Sequence, residues 1–198
     1  MERLILARHG ESGFSARGLV NGDRSVPVGL TEAGAEQARA LGRALAGEPI
    51  DLCITSGLER TRATAALALL GRDVPVEAWA GLNDPRAGRF EGLPLDEYLV
   101  WALAAGSQEA APGGGESRLE AVSRYVRAYR GLLERPEETV LAVAHALPIA
   151  YLLSALEGRQ PASRMDRTVA YAHPYRLAAA GLRQALGVIE AWRAAPSW

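Results

Sequence analysis

Short apolar runs alternate with longer segments of helical periodicity along most of the chain. Residues 4–7, Leu-Ile-Leu-Ala, read as a buried first strand. Thr31 then stands as a helix N-cap ahead of Glu32, and Ala35, Ala38, Leu41 and Leu45 recur at helical spacing until Gly47. Residues 52–54 predict a second strand, 60–70 a helix closed by Gly71, and 74–79 a third strand. From 81 to 115 the periodicity breaks at Pro85, Pro94, Pro112 and three consecutive glycines, which predicts a loop-rich excursion with one short helix near 96–105. Amphipathic spacing returns at 117–133, where Leu119, Val122, Val126, Tyr129 and Leu133 share a face. Residues 139–144 are the most strand-like stretch, and Pro148 suits the first turn of a helix after His145. The tail is divided: Leu182, Leu186, Ile189 and Trp192 suit a helix, whereas 169–177 suit an edge strand broken at Pro174.

Strands alternating with crossover helices predict an α/β fold, a three-layer sandwich with a mostly parallel central sheet flanked by helices. At 198 residues the expectation is a single domain over 1–198. Apolar residues at 48% and charged residues at 23% describe a soluble globular chain. A net charge of −1 argues against a general nucleic-acid binder. All 22 basic residues are Arg, which excludes lysine Schiff-base catalysis and the lysine-dependent phosphate loop of NTPases. Cys53 is the only cysteine, so no intrachain disulfide can form. No apolar run reaches signal-peptide or membrane-span length, and the expectation is a cytoplasmic protein with no membrane partner.

The candidate chemistry sits at strand ends. Arg8-His9-Gly10-Glu11 follows the first strand at its carboxyl end, where α/β sheets place ligands. His145 ends the 139–144 strand, and Arg60 lies in the first turn of the helix after the second strand. Two imidazoles and two guanidinium forks thus reach one rim of one sheet. Taken singly, each has a plain structural reading, as a packed His or a solvated Arg; their shared address is what favours function. Glu11 and Glu91 read as partners that orient arginines, His173 as structural, Cys53 as an inert core residue, Trp79 as core and Trp198 as exposed. Three histidines without a Cys pair or a His-x-x-x-His spacing predict no metal site.

An ordered set of motifs resembles the histidine phosphatase superfamily, the family of cofactor-dependent phosphoglycerate mutases and many small phosphatases. Leu6-Ala7-Arg8-His9-Gly10-Glu11 resembles its opening motif. The stretch from Gly29-Leu30-Thr31 through Gly34 to Gln37-Ala38, then Ser56 with Arg60 and Thr64-Ala65, follow in family order. Gly88-Arg89-Phe90-Glu91-Gly92, Gly114-Gly115-Glu116-Ser117 with Arg124, and Val143-Ala144-His145 complete the series. The resemblance covers roughly residues 4–149.

The resemblance implies His9 as nucleophile, with Arg8, Arg60 and His145 binding the phosphoryl group and no cofactor or metal required. The family's proton-donating Glu falls on Asp84, one methylene shorter, and its phosphate-loop Asn falls on Ser15. Neutral imidazole can attack phosphorus near pH 7, and guanidinium forks suit the three equatorial oxygens. The implied function is a metal-independent phosphatase acting on small-molecule phosphomonoesters through a phosphohistidine. The alternatives are a phosphoglycerate-type phosphomutase, or a catalytically weak phospho-ligand binder on the same fold. Family mutases usually carry extra chain before the Gly-Gly-Glu-Ser element, whereas residues 93–113 here are short and hold no basic residue, which favours water as acceptor. Arg17, Arg24, Arg86 and Arg89 are the candidates for holding a second anion on the substrate.

Overall fold

The computed structural model describes residues 1–198. Five strands, β1 (Arg3–Arg8), β2 (Leu52–Thr55), β3 (Val76–Ala78), β4 (Thr139–Ala144) and β5 (Pro174–Ala178), form one sheet in the order β3-β2-β4-β1-β5. The pairs β1·β4, β2·β4 and β2·β3 are parallel, and β5 joins antiparallel at the edge of β1. Seven helices complete the chain: α1 (Gly13–Ala16), α2 (Glu32–Ala44), α3 (Glu59–Ala68), α4 (Leu95–Ala104), α5 (Arg118–Leu133), α6 (Ala146–Leu156) and α7 (Ala179–Ala194). Two short 3₁₀ turns, Ala80–Leu82 and Gly88–Phe90, lie in the loop-rich excursion.

The period of two in the strands divides the core. Leu4 and Leu6 of β1, with Val140 and Ala142 of β4, face the layer of α5, α6 and α7, while Ile5, Ala7, Leu141 and Val143 face α2 and α3. Both faces of the central strands are sealed, so 4–7 and 140–144 read as unbroken apolar runs. Thr31 caps α2 by accepting from the Gly34 N–H, and Ser117 with Glu120 forms a complete capping box at α5. The start of α2 presses against the turn after β1. A Cβ on Gly10 would meet Gly34 O at 2.4 Å, so only glycine allows this approach.

Four sequence expectations shift. α2 ends at Ala44 and only a turn continues to Gly47, and β3 is a short, solvent-exposed edge strand. The tail resolves into both of its readings, with the edge strand beginning at Pro174 instead of breaking there: at an edge, the missing N–H costs no ladder bond. Leu182, Leu186, Ile189 and Trp192 all pack in the core from α7. Trp198 is half-buried, stacked on Trp192 at 4.8 Å between ring centroids, because its backbone carbonyl accepts from both Ser107 N–H and Ser107 Oγ. No helix is long and apolar enough to cross a membrane.

Candidate active site

The carboxyl ends of β1, β2 and β4 deliver His9, the α3 start and His145 to one point. His9 is 3% exposed, Arg60 3% and His145 0%, and the two imidazole centroids are 5.2 Å apart. Arg60 is the hub. Its Nε donates to His9 Nε2 at 3.0 Å, Nη1 to Asn21 Oδ1 at 2.6 Å, and Nη2 to Asn21 O at 2.9 Å, Asp84 Oδ2 at 3.0 Å and His145 Nδ1 at 3.1 Å.

Because a guanidinium only donates, these contacts fix both tautomers. His9 Nδ1–H donates to Gly10 O at 2.7 Å, leaving the Nε2 lone pair to accept from Arg60 on the cavity wall. His145 accepts at Nδ1, so its Nε2–H donates to Ser56 Oγ at 2.9 Å, and Ser56 is in turn tied to Thr61. Burial, then the Arg60 charge, holds both histidines well below the usual imidazole range. His145 also stands at the N-cap of α6, where the positive end of the helix dipole opposes protonation.

Asp84 is half-buried, and burial pushes its carboxyl above the ordinary value against the pull of Arg60, Arg8 and Arg124. Its turn is held from behind. Arg124 donates to Asn83 O at 2.8 Å and Gly81 O at 3.0 Å, while Glu116 accepts from Arg124 at 2.8 and 3.1 Å. The Gly-Gly-Glu-Ser element with Arg124 is therefore a brace for the Asp84 turn. Although burial pushes Glu116 up, those bonds hold its carboxyl below the usual range, so it is no reserve acid.

Arg8 lies with its guanidinium 3.7 Å from the Tyr171 ring centre and donates to Val169 O at 3.0 Å. Arg8, His9, Arg60, Asp84 and Ser15 all line one cavity of about 790 Å³. Ser15 is on its wall with its hydroxyl paired to Ser12 Oγ at 2.9 Å, outside the Arg60 cluster. Asn21, which sequence reading passed over, takes the place beside Arg60. Its Nδ2 donates to Glu91 Oε1 at 3.1 Å, and Glu91 also accepts from the Gly22 N–H at 2.9 Å. Glu91 thus orients Arg60 through Asn21, whereas Glu11 accepts from the Thr31 hydroxyl at 2.8 Å and not from the arginine it was expected to orient. Tyr171 and Asn21 lie outside the family-like motifs; the Asn21-Gly22 dipeptide after the first loop is the one local signal. Arg17, Arg24, Arg86 and Arg89 do not line the cavity, whereas Arg118, Arg164 and Arg167 do. His173 packs on Tyr175, and burial raises the Cys53 thiol to about 12. No three His, Cys, Asp or Glu side chains converge in a way that could hold a metal ion.

Residues 4–192 match the sequence profile of the histidine phosphatase superfamily (branch 1), and the chain belongs to that family. It is 38% identical over 173 residues to a 2,3-bisphosphoglycerate-dependent phosphoglycerate mutase of Methylobacterium sp. (strain 4-46), covering 80% of this chain and 82% of that one. An adenosylcobalamin/alpha-ribazole phosphatase of Salmonella typhimurium is 34% identical over 164 residues, 78% of this chain and 79% of its own. The crystal structure of the alpha-ribazole phosphatase from Shigella flexneri superposes with a TM-score of 0.76 at 31% identity, covering 88% of this chain and 89% of that one. These relatives make the chain a member of a phosphatase and mutase family. The mutase relative matches over nearly equal shares of the two chains, so chain length does not separate the two activities here.

Proposed function

We propose that the protein is a phosphomonoesterase that works through a phosphohistidine on His9, with water as the final acceptor and no metal in the reaction. The observation that carries this is the Nε2 lone pair of a neutral, Nδ1-anchored His9 set beside two guanidinium groups in a cavity. His9 Nε2 attacks phosphorus as the bond to the leaving oxygen breaks. Arg60 swings from Nε2 onto the equatorial oxygens, joined by Arg8, and stabilises the charge that spreads there. An incoming phosphate dianion raises the proton affinity of His145 Nδ1 and makes it a further donor. Asp84, its acid form favoured by burial, gives a proton to the leaving oxygen. A water then attacks the phosphohistidine while the Asp84 carboxylate takes its proton, which regenerates His9 and releases phosphate.

Water as acceptor is supported by the cavity wall. Leu95, Leu99 and Leu103 of α4 line it, and none of them can hydrogen-bond a hydrophilic sugar acid returning for the phosphoryl group. Rapid quench during turnover of a labelled aryl phosphate should trap an acid-labile, base-stable phosphoenzyme. Inorganic phosphate should appear at the same rate with excess EDTA and with added glycerate acids. Transfer of label to glycerate would make the protein a mutase, and a chelator-sensitive rate restored by a divalent ion would overturn the metal-free mechanism.

A further inference from the structure

The cavity holds a cation that the phosphoryl chemistry does not use. Arg118 opens α5 and lines the cavity, and its Nη1 donates to Tyr151 Oη at 2.9 Å, which donates to Ala162 O at 2.8 Å. It forms no ion pair. The nearby acid Glu116 is occupied by Arg124 and Arg86, and Asp166 on the cavity wall by Arg159. The first turn of a helix is also an unfavourable place for a cation, because the peptide dipoles put positive charge there. Ser117 and Glu120 already cap α5, so helix formation gives no reason for Arg118. A half-buried guanidinium without a counter-ion, on a ligand cavity, is suited to a planar anion supplied by the ligand.

The rest of the wall says what carries that anion. Leu95, Leu99 and Leu103 follow one another at four-residue spacing on α4, 43%, 43% and 48% exposed, and Met165 lines the same cavity. A volume of about 790 Å³ far exceeds a phosphate on a three-carbon acid, which would leave these side chains uncovered.

We propose that Arg118 is a specificity-determining residue that receives an anionic group, a carboxylate or a second phosphate, on a leaving group whose apolar body lies along the α4 leucines. The substrate class is then an amphipathic phosphomonoester with a second anionic end. This rests on the phosphomonoesterase reading and adds the leaving group to it.

Alkylphosphonates occupy a phosphate site without turnover, so calorimetry can test the subsite apart from the chemistry. A homologous series is used in three forms: unsubstituted, with a terminal carboxylate and with a terminal phosphonate. At the best chain length one anionic form should bind the wild type about tenfold more tightly than the unsubstituted one, and which form does so identifies the anion. Arg118→Gln should bring that ratio within about twofold, and Arg118→Lys should keep part of it, since the charge remains but the fork is lost. Ratios within one protein cancel a general effect of losing the Tyr151 contact. A wild type indifferent to the second anion, a preference that survives Arg118→Gln, or one abolished instead by Arg164→Gln would overturn the inference. Failure of the phosphatase reading would show separately, as phosphonate binding without any phosphoenzyme.

Discussion

At the strand-end half of the cavity, His9, Arg60 and His145 are almost sealed from water and every ring nitrogen has a partner. At the α4 half, three leucines stay more than two-fifths exposed and Arg118 has one neutral partner. Bond-making needs atoms held to a fraction of an ångström, which a saturated network at the ends of buried strands provides. Leaving-group selection needs area and a few polar marks, which a helix and a loop outside the sheet can supply and vary. Relatives named as mutase and as phosphatase match this chain at 38% and 34% identity, so overall identity does not choose between the two.

The division predicts a graded set of effects. His9→Ala should lower kcat by about 10⁴-fold or more, whatever the leaving group, because the phosphohistidine route runs through its Nε2. Steady-state assays on aryl and alkyl phosphates check this, and a loss that depended on the leaving group would break the separation between the two halves.

Asp84 stands on the boundary. Asp84→Asn should cost alkyl phosphates about 10²–10⁴-fold and a nitrophenyl phosphate, whose leaving group needs little help, about tenfold or less. Burial raises the Asp84 carboxyl, so alkyl phosphate turnover should fall as pH rises through that raised value, and the Asn variant should lack this limb. Both histidines are held low, so no loss should appear as pH falls through 6.5. The same shifts act on stability. Neutral histidines stabilise the fold fully above their unfolded value of about 6.5, and that contribution is lost as pH falls toward their depressed folded values. An Asp84 held high opposes folding when ionised, so Asp84→Asn should melt no lower than wild type at neutral pH.

Glu91→Ala should reduce kcat/KM by about tenfold, equally for good and poor leaving groups, since Asn21 loses the acceptor that orients it toward Arg60. Equal losses would place Glu91 with the strand-end half; a leaving-group dependence would move it to the other. Leu99→Ala should be the mildest, a few-fold drop in the preference for long over short alkyl phosphates, as expected for removing part of one apolar wall.

The strand-end half was legible in the sequence because a buried parallel strand is an unbroken apolar run, and the residue that ends it has a known address. His9 and His145 follow that rule directly, and Arg60 lies in the first turn of the helix that follows β2. Asn21 escaped because its role is set by a contact across 70 residues, between its Nδ2 and Glu91 Oε1, that no local pattern encodes. Arg118 was hidden by its setting in a regular amphipathic helix, where a charged first-turn residue looks like ordinary surface. Tyr171 sits where the chain folds back over β1, just ahead of Ala172 at φ +46, the one non-glycine residue in left-handed backbone. Nothing local signals that turn.

The sheet order also bears on how the enzyme comes into being. β1, made before the other four strands, sits between β4 and β5, the last two of the five to be made. Its apolar side chains must wait, unpaired, through most of synthesis, which exposes the nascent chain to aggregation and slows folding through long-range contacts. A nascent chain ending before Thr139 lacks both neighbours of β1, so His9 cannot be set in place by sheet pairing until translation is well advanced.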